Sequence, residues 1–376
     1  MSQPSLTMFN TVTGFREAIS FIGYSVESDN MRVHVETFVN QDEDDLVYMK
    51  LTTEKGTTAL IDTTLKSKCL DSDAYVNLSD FFVMCDKGVK DGLVAMWVAD
   101  GRLYIGSSYN EGLGCFESEA SLPMLDPFEL DESFDAEETI QVEQMVIASI
   151  EDTCYNFDRV EIARTEGTLS FRTGDSRVTI ATLPSTVKVL GRESTESMPD
   201  FSISIPVCIY KLIPMVSTDP MVSFQLDLTR GKIRAAGKLY SVNYAYSSGT
   251  LRTGTTEGMV QYMKFDTVGM MATIDMIYGL NYKDPIAPVT LRPLDEKTVE
   301  IEYGYGDRYS GTITMTGVKM MEKEKSIVLP MDVSTMMVRN AGSAVLEMLR
   351  ADDGRLFLTF ASKDGKFARK CMYFGG

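Results

Sequence analysis

Apolar and polar positions follow the same order in three parts of the chain. Each part has a short alternating strand, then apolar residues at helical spacing, then two alternating strands joined by a turn. The turn glycines Gly101, Gly231 and Gly354 lie 130 and 123 residues apart in this 376-residue chain. A repeat of that length corresponds to a domain and not to a solenoid unit. The three stretches are residues 74–108, 201–236 and 325–360.

A similar helix-plus-strands unit precedes each of these stretches. Apolar residues recur at helical spacing in residues 13–24, 139–155 and 266–282, which predicts one helix over each range. Alternating strands follow each helix, with the first hairpin turn near Gly56 and the second at Glu166 and Gly167. The pattern predicts six such units in three domains. A sheet that carries its helices on one face is an α+β architecture.

Two compositional shifts mark the predicted domain boundaries. The first is an acidic run without lysine or arginine, and the second is the Gly/Thr/Ser-rich stretch 247–258. The acidic run predicts a solvated linker that leads into helix 139–155, with a functional acidic patch as the alternative. Short linkers predict domains packed in a fixed order. The predicted domains are residues 1–128, 129–252 and 253–376. The acidic residues are Asp126, Glu129, Asp131, Glu132, Asp135, Glu137, Glu138 and Glu143.

The overall charge changes what kinds of partner are expected. The formal net charge is −18, from 36 basic and 54 acidic residues, which argues against an open DNA-reading surface. No apolar run reaches the length of a membrane span, and the N-terminus lacks a cationic start followed by an apolar segment. The sequence therefore predicts a cytoplasmic protein with no membrane partner.

The side-chain chemistry argues against an enzyme. The only histidine, His34, lies in an alternating strand and is expected to point to solvent, and the six cysteines form no C-x-x-C pair. These features argue against a zinc site with nitrogen and sulfur ligands and against histidine-based catalysis. Nucleotide-binding and hydrolase motifs are absent, and the glycine-rich stretch 304–311 is predicted to be a hairpin turn. We expect no metal, no cofactor and no enzymatic activity.

Three segments carry a family resemblance: VNLSDFFVMCDKGV at 76–89, DGRLYIGSSYNEGLGCFESEASLPML at 100–125 and RTEGTLSFRTGDSRVTIATLP at 164–184. Together with the threefold order of elements, they resemble the three-domain, bacterial β type of DNA polymerase sliding clamp. The resemblance spans essentially the whole chain and lies in its architecture. Its divergence from the family pattern is typical of a phage-encoded or viral member.

The resemblance implies a function that needs no bond to be made or broken. Two chains joined head to tail would form a homodimer ring of six clamp domains, with helices lining the hole and sheets forming the outer wall. The ring would encircle double-stranded DNA without sequence specificity and tether a DNA polymerase, with a clamp loader as a further partner, in a bacterial or phage-infected cell. The cations expected to face DNA are Arg16, Lys87, Lys90, Lys211, Lys264, Lys283 and Arg339.

The resemblance also implies an apolar cleft that receives short peptide motifs from polymerases and other partners. For Val178 and Ile180, burial in the core is the alternative interpretation. The large apolar side chains near the end of the chain must either dock or serve a partner. The cleft residues that the resemblance implies are Val178, Ile180, Leu183, Tyr244, Tyr246, Met372, Tyr373 and Phe374.

Two other functions fit the same pattern. The expected DNA-facing cations are sparse, and helix 139–155 contains none, which favours a viral or phage scaffold or interaction protein with the clamp fold that does not encircle DNA. The repeats also fit an unrelated repetitive α+β or all-β structural protein.

Overall fold

The computed structural model divides into two compact units. Unit 1 comprises Met1–Thr139 and Cys208–Tyr246, and unit 2 comprises Ile140–Val207 and Ser247–Gly376. The division into three domains therefore stays a prediction. The structure describes residues 5–10, 14–40, 46–64, 67–87, 89, 92–110, 115–136, 138–151, 158–165, 168–173, 178–182, 187–190, 200–249, 256–265, 272, 276–277, 288–305, 309–316, 319–320, 326–330, 344–351, 356–361 and 367–373.

Strands predominate among the described elements. The helices are α1 (Arg16–Tyr24), α2 (Leu78–Lys87), α3 (Gln144–Glu151) and α4 (Val207–Leu212), which continues as a 3-10 helix over Ile213–Val216. None of these described helices is both long and apolar enough to cross a membrane. The strands are β1 (Thr7–Asn10), β2 (Arg32–Asn40), β3 (Leu46–Thr53), β4 (Thr58–Asp62), β5 (Ala74–Asn77), β6 (Leu93–Ala99), β7 (Arg102–Asn110), β8 (Cys115–Pro123), β9 (Glu138–Glu143), β10 (Arg159–Thr165), β11 (Thr168–Thr173), β12 (Val178–Thr182), β13 (Val187–Leu190), β14 (Phe201–Pro206), β15 (Met221–Asp227), β16 (Lys232–Ala236), β17 (Tyr240–Ala245), β18 (Ser247–Ser248), β19 (Thr256–Phe265), β20 (Pro288–Pro293), β21 (Thr298–Tyr305), β22 (Tyr309–Thr316), β23 (Lys319–Met320), β24 (Ile327–Pro330), β25 (Ala344–Ala351), β26 (Leu356–Ala361) and β27 (Phe367–Tyr373).

Unit 1 contains two antiparallel sheets and a pair of helices. One sheet has the order β1-β6-β7-β8, and in the other the strands follow in the order β15-β16-β17-β4-β3-β2-β5. Helix α1 packs on the second sheet, where the ring of Phe21 stacks on that of Tyr240 with centroids 4.6 Å apart. Helices α1 and α2 meet at Gly23, where an added Cβ would lie 2.4 Å from the ring of Phe82. The apolar faces of both helices are therefore buried, as their spacing predicts.

Unit 2 is also antiparallel. Its larger sheet has ten strands in the order β18-β14-β10-β11-β12-β27-β26-β25-β19-β23, and its smaller sheet has the order β22-β21-β20-β24. Helix α3 packs against β11 and β12. Its buried residues Val146, Ile147 and Ile150 recur at helical spacing.

The structure confirms the first two repeats and the strands of the third. Strand β5, helix α2 and hairpin β6–β7 follow in order, as do β14, α4 and β15–β16. The hairpin glycines Gly101 and Gly231 have φ values of 69° and 65°, a conformation that favours glycine. In the third repeat β24, β25 and β26 are present, whereas its predicted helix and Gly354 lie outside the described residues. Most of predicted helix 266–282 also lies outside them.

Two predictions about local structure are wrong. The predicted helix 139–155 begins with a strand, because buried Ile140 and Val142 alternate with less buried neighbours and so favour β9 over a helix. The helix starts only at Gln144, and residues 152–157 lie outside the described part. His34 does not point freely to solvent: its side chain is 13% exposed because its ring stacks on that of Tyr75, with centroids 4.3 Å apart.

Candidate functional site

An irregular segment, residues 124–136, crosses one face of the β15–β5 sheet in unit 1, and we call it the strap. At one end the Leu125 N–H donates to the Tyr75 carbonyl oxygen over 2.6 Å. Phe128 then packs edge-on against Tyr75 and under the Arg32 guanidinium, each at 5.3 Å. At the other end the Asp135 N–H donates to the carboxylate of Asp227 on β15 over 2.9 Å. The strap contains most of the acidic run. Its acidic side chains are exposed, as expected of a solvated linker, whereas its backbone and aromatic rings contact the sheet.

Strand β16 holds the strap with two cations. The Lys232 ammonium donates to the carbonyl oxygens of Asp131 and Ser133 over 2.7 and 2.8 Å, and it lies 2.8 Å from the Asp131 carboxylate. The Arg234 guanidinium lies over the Phe134 ring, 4.1 Å from its centroid. Because Lys232 and Arg234 are two residues apart on one strand, they share the face on which the strap lies.

Two carboxylates at this end of the strap are held in the ionised form. Hydrogen bonds from Lys232 and Ser133 lower the pKa of Asp131 to about 2. Burial acts to raise the pKa of Asp227, but hydrogen bonds from the backbone of Asp135 and Arg230 and from the Arg230 guanidinium outweigh it and lower that pKa to about 2. The docking of the strap therefore depends on ionised carboxylates.

A groove of about 690 Å³ lies between the strap and strands β3, β4, β16 and β17. Its walls include the cations Lys50 and Lys55 and the strap residue Leu130. Thr52 and Asn243 also line it, and the Oγ1 and Oδ1 atoms of these two residues are buried without a hydrogen-bond partner in the described part of the chain. The groove thus offers charged and polar groups, with a volume in the usual range of ligand sites.

The helix pair of unit 1 carries two of the predicted DNA-facing cations. Arg16 on α1 donates to the carbonyl oxygens of Asp86 and Val89 over 3.5 and 3.3 Å, at the C-terminal end of α2. A guanidinium is favourable there because the end of a helix carries partial negative charge. Lys87, the last residue of α2, is exposed. Of these two cations, Arg16 joins two helices and Lys87 faces solvent.

The other predicted DNA-facing residues are placed less uniformly. Lys211 lies in the last turn of α4 and is half-buried. Lys264 was predicted to lie on a helix, but it lies in strand β19, because the strand pattern of residues 256–265 extends past it. There it pairs with Val345 and Lys319. Lys90, Lys283 and Arg339 lie outside the described residues.

The structure brings together part of the predicted partner cleft. Val178 and Ile180 lie in β12, which pairs with β27, the strand that contains Met372 and Tyr373. Leu183 and Phe374 lie outside the described residues.

The two predicted cleft tyrosines lie in unit 1. The Tyr244 hydroxyl donates to the Glu27 carboxylate over 3.0 Å, and the Tyr246 hydroxyl to the Asp227 carbonyl oxygen over 3.3 Å. Tyr244 is only 9% exposed. Both hydroxyls thus serve contacts within their own unit.

The strap and the groove beneath it are not among the features predicted from the sequence. A signal was present, since Phe128, Leu130 and Phe134 interrupt the acidic run with apolar side chains that a solvated linker does not need. The cations that receive the run, Lys232 and Arg234, lie about 100 residues later in the chain. No local pattern connects them.

Comparison with known proteins gives a result at the level of structure only. No family model matches the chain, and no curated protein matches its sequence. Among solved structures, the DNA polymerase III beta chain from Streptococcus pneumoniae is 11% identical, with a TM-score of 0.70 over 100% of both chains. The Helicobacter pylori beta clamp bound to a DNA ligase peptide is 13% identical, with a TM-score of 0.68 over 99% of this chain and 100% of that one.

A third solved structure agrees with the other two. It is a sliding clamp, DNA polymerase III subunit beta, from Pseudomonas aeruginosa bound to griselimycin, 12% identical with a TM-score of 0.69 over 100% of both chains. At sequence identities of 11–13%, structural similarity shows a shared fold and nothing more. It confirms the predicted architecture, and the chain has the fold of the bacterial beta sliding clamp along its whole length.

Proposed function

We propose that this protein is a sliding clamp, a processivity factor that encircles duplex DNA and tethers replication proteins in a bacterial or phage-infected cell. The observation that carries the proposal is the structural likeness to a beta chain at a TM-score of 0.70 over 100% of both chains. Such a protein works by topology and catalyses no reaction. The absence of nucleotide-binding and hydrolase motifs in the sequence agrees with that role.

The smaller sheets support assembly into a ring. In the described part of the chain, β8 pairs only with β7 and β22 pairs only with β21, so each sheet ends in a long strand that pairs on one side. These strands have nine and eight residues. Long open edges are a liability for a monomer. Pairing of β8 with the partner's β22 would cover both edges, and two such contacts would close a head-to-tail homodimer.

A modest number of cations suits a ring that slides. Contacts to phosphate are screened over about 8 Å at physiological salt, and a threaded ring is retained without tight contacts. Exposed Lys87 and half-buried Lys211 are the described side chains that we assign to this role. Lys90, Lys283 and Arg339 complete the proposed set. Arg16 acts mainly between helices, and Lys264 lies in a sheet strand, so neither is assigned to this role.

We assign the peptide site to the region of β12 and β27. The Helicobacter pylori beta clamp, which has the same fold, binds a DNA ligase peptide. Val178 pairs with Cys371, so β12 and β27 are neighbouring strands. They contain the cleft candidates Val178, Ile180, Met372 and Tyr373. Short motifs from a polymerase and a clamp loader are the proposed ligands.

Retention on circular DNA tests the function directly. The protein is loaded onto nicked circular DNA with a loader from the host, separated by gel filtration, and the DNA is then cut by a restriction enzyme. Retention on the circle followed by release from the linear form is the expected result, since only a closed ring behaves in this way. The matched control is the same DNA linearised before loading.

Two outcomes would overturn the proposal. Equal retention on circular and linear DNA would show ordinary electrostatic binding. No retention on either form would favour the clamp-fold scaffold that does not encircle DNA.

A further inference from the structure

Three potential metal ligands meet on the strap side of the β15–β5 sheet. His34 and Glu36 lie two residues apart on β2, and Asp73 precedes the neighbouring strand β5. One donor atom from each residue lies within 4.8 Å of the other two. The sequence argued against a zinc site with nitrogen and sulfur ligands, but this cluster offers one imidazole and two carboxylates.

The imidazole nitrogen is the most informative atom of the cluster. His34 Nε2 is buried and has no hydrogen-bond partner in the described part of the chain. It lies 3.2 Å from Asp73 Oδ2, but the angles are not those of a hydrogen bond. Two ligands each about 2.1 Å from one zinc ion and about 100° apart are about 3.2 Å from each other. The separation therefore suits a shared ion.

Neighbouring side chains fix the ligands in place. Tyr75, which pairs with His34 across the two strands, stacks on the imidazole with 4° between the ring planes. The Lys50 ammonium holds Oε1 of Glu36 at 2.8 Å, and the carboxylate has a second oxygen for an ion. The exposed fractions of the three side chains rise from 13% for His34 to 28% for Glu36 and 55% for Asp73. One side of the site is therefore open to solvent.

The charge around the cluster favours a cation. Two carboxylates are balanced by one ammonium group, that of Lys50. The site therefore keeps a net negative charge.

We propose that His34, Glu36 and Asp73 form a binding site for a divalent transition-metal ion of the zinc type. Imidazole and carboxylate ligands suit zinc and its neighbours in the series, whereas calcium and magnesium prefer oxygen alone. Water completes the coordination on the open side. The ion joins β2 to the segment before β5, and it lies beside Tyr75, against which the strap residue Phe128 packs.

The single histidine makes the test unambiguous. The full-length protein is labelled with ¹⁵N-histidine and titrated with zinc chloride at a pH where the imidazole is neutral. We expect the His34 ring nitrogens to shift on binding, with Nε2 as the bound atom. Asp73→Asn and Glu36→Gln should each weaken binding about tenfold or more, and Asp71→Asn, an exposed carboxylate two residues from Asp73, serves as the matched control.

Each other outcome would count against the site. Zinc binding seen by calorimetry with unchanged His34 resonances would place the ion at another site. If the zinc titrations of Asp73→Asn and Asp71→Asn had the same midpoint, the imidazole would bind zinc without help from Asp73. Because Asp73 is exposed, Asp73→Asn is expected to fold, and its amide spectrum checks this. The result is independent of DNA retention, so the two proposals can fail separately.

Discussion

The two faces of the sheet that contains strand β17 are covered by elements that are held in different ways. On one side Tyr240 stacks on Phe21 of helix α1, within a surface of buried apolar side chains. On the other side, two cations of the neighbouring strand β16, Lys232 and Arg234, bind carbonyl oxygens and an aromatic ring of the strap. The helix side depends on many small apolar contacts. The strap side depends on a few charged ones, so single substitutions should affect it more.

The comparison also explains how the chain uses its cations. The acidic side chains of the strap are exposed, as the charges in the sequence suggest, but cations of the sheet bind its backbone. In the structure, the strap carbonyls and Asp131 bind Lys232, and the Asp126 carbonyl accepts a hydrogen bond from Arg32. Several cations of unit 1 are therefore occupied by the strap and are not available to DNA.

The largest effect is expected on the strap side, from Lys232→Ala. The Lys232 side chain is 10% exposed and satisfies two strap carbonyl oxygens. Its loss should lower the free energy of unfolding by about 2 kcal/mol, less than for a fully buried pair, because Asp131 can be solvated. Urea denaturation measures this loss, and hydrogen exchange should show faster exchange in residues 126–135.

A neighbouring lysine gives the control. Lys55 lines the same groove but is exposed, so Lys55→Ala should change stability by less than about 0.5 kcal/mol. Equal losses in the two variants would show that the strap is not held by Lys232.

On the helix side, Gly23→Ala tests packing. The added methyl group would lie 2.4 Å from the Phe82 ring, so the ring or the helices must move. We expect a loss of about 1–2 kcal/mol. In a Phe82→Ala background the same change should cost almost nothing, because the obstructing ring is gone. A loss that persists in this background would place the strain elsewhere.

The sequence predicted the helix side better than the strap side for a physical reason. Buried Ile19 and Ile22 lie three residues apart on α1, so periodicity within a short window reveals them. The strap is fixed by pairs such as Asp131 with Lys232, whose positions no local pattern relates. The clamp fold was predictable because each repeat is a run of strand and helix patterns that can be read within a short segment of the sequence. Helix 139–155 was mispredicted at its start because Ile140 and Val142, two residues apart, follow the strand period, and helical spacing begins only within α3.

Acid should weaken the strap contacts and leave the helix contacts intact. Asp131 and Asp227 have pKa values of about 2, below the ordinary value of 3.8, so ionised carboxylates stabilise the folded state above about pH 4. This contribution is lost as the pH falls from about 4 to 2. Pepsin, which is active at these pH values, should cut beside Phe128 and Phe134 more readily at the lower pH. Asp227→Asn should be cut readily throughout this range, and pH-independent cutting of the unaltered protein would contradict the assignment.

The smallest effects separate the two cations of the helix pair. Arg16→Ala should lower stability by about 0.5–1 kcal/mol, because its guanidinium binds carbonyl oxygens at the end of α2. Lys87→Ala should leave stability unchanged, because Lys87 is exposed at the last residue of that helix. If Lys87 contacts phosphate, its loss should lower the slope of log affinity against log salt for linear duplex DNA by about one. An unchanged slope in Lys87→Ala, together with a lowered slope in Arg16→Ala, would reverse the two roles and place DNA against the groove between the helices.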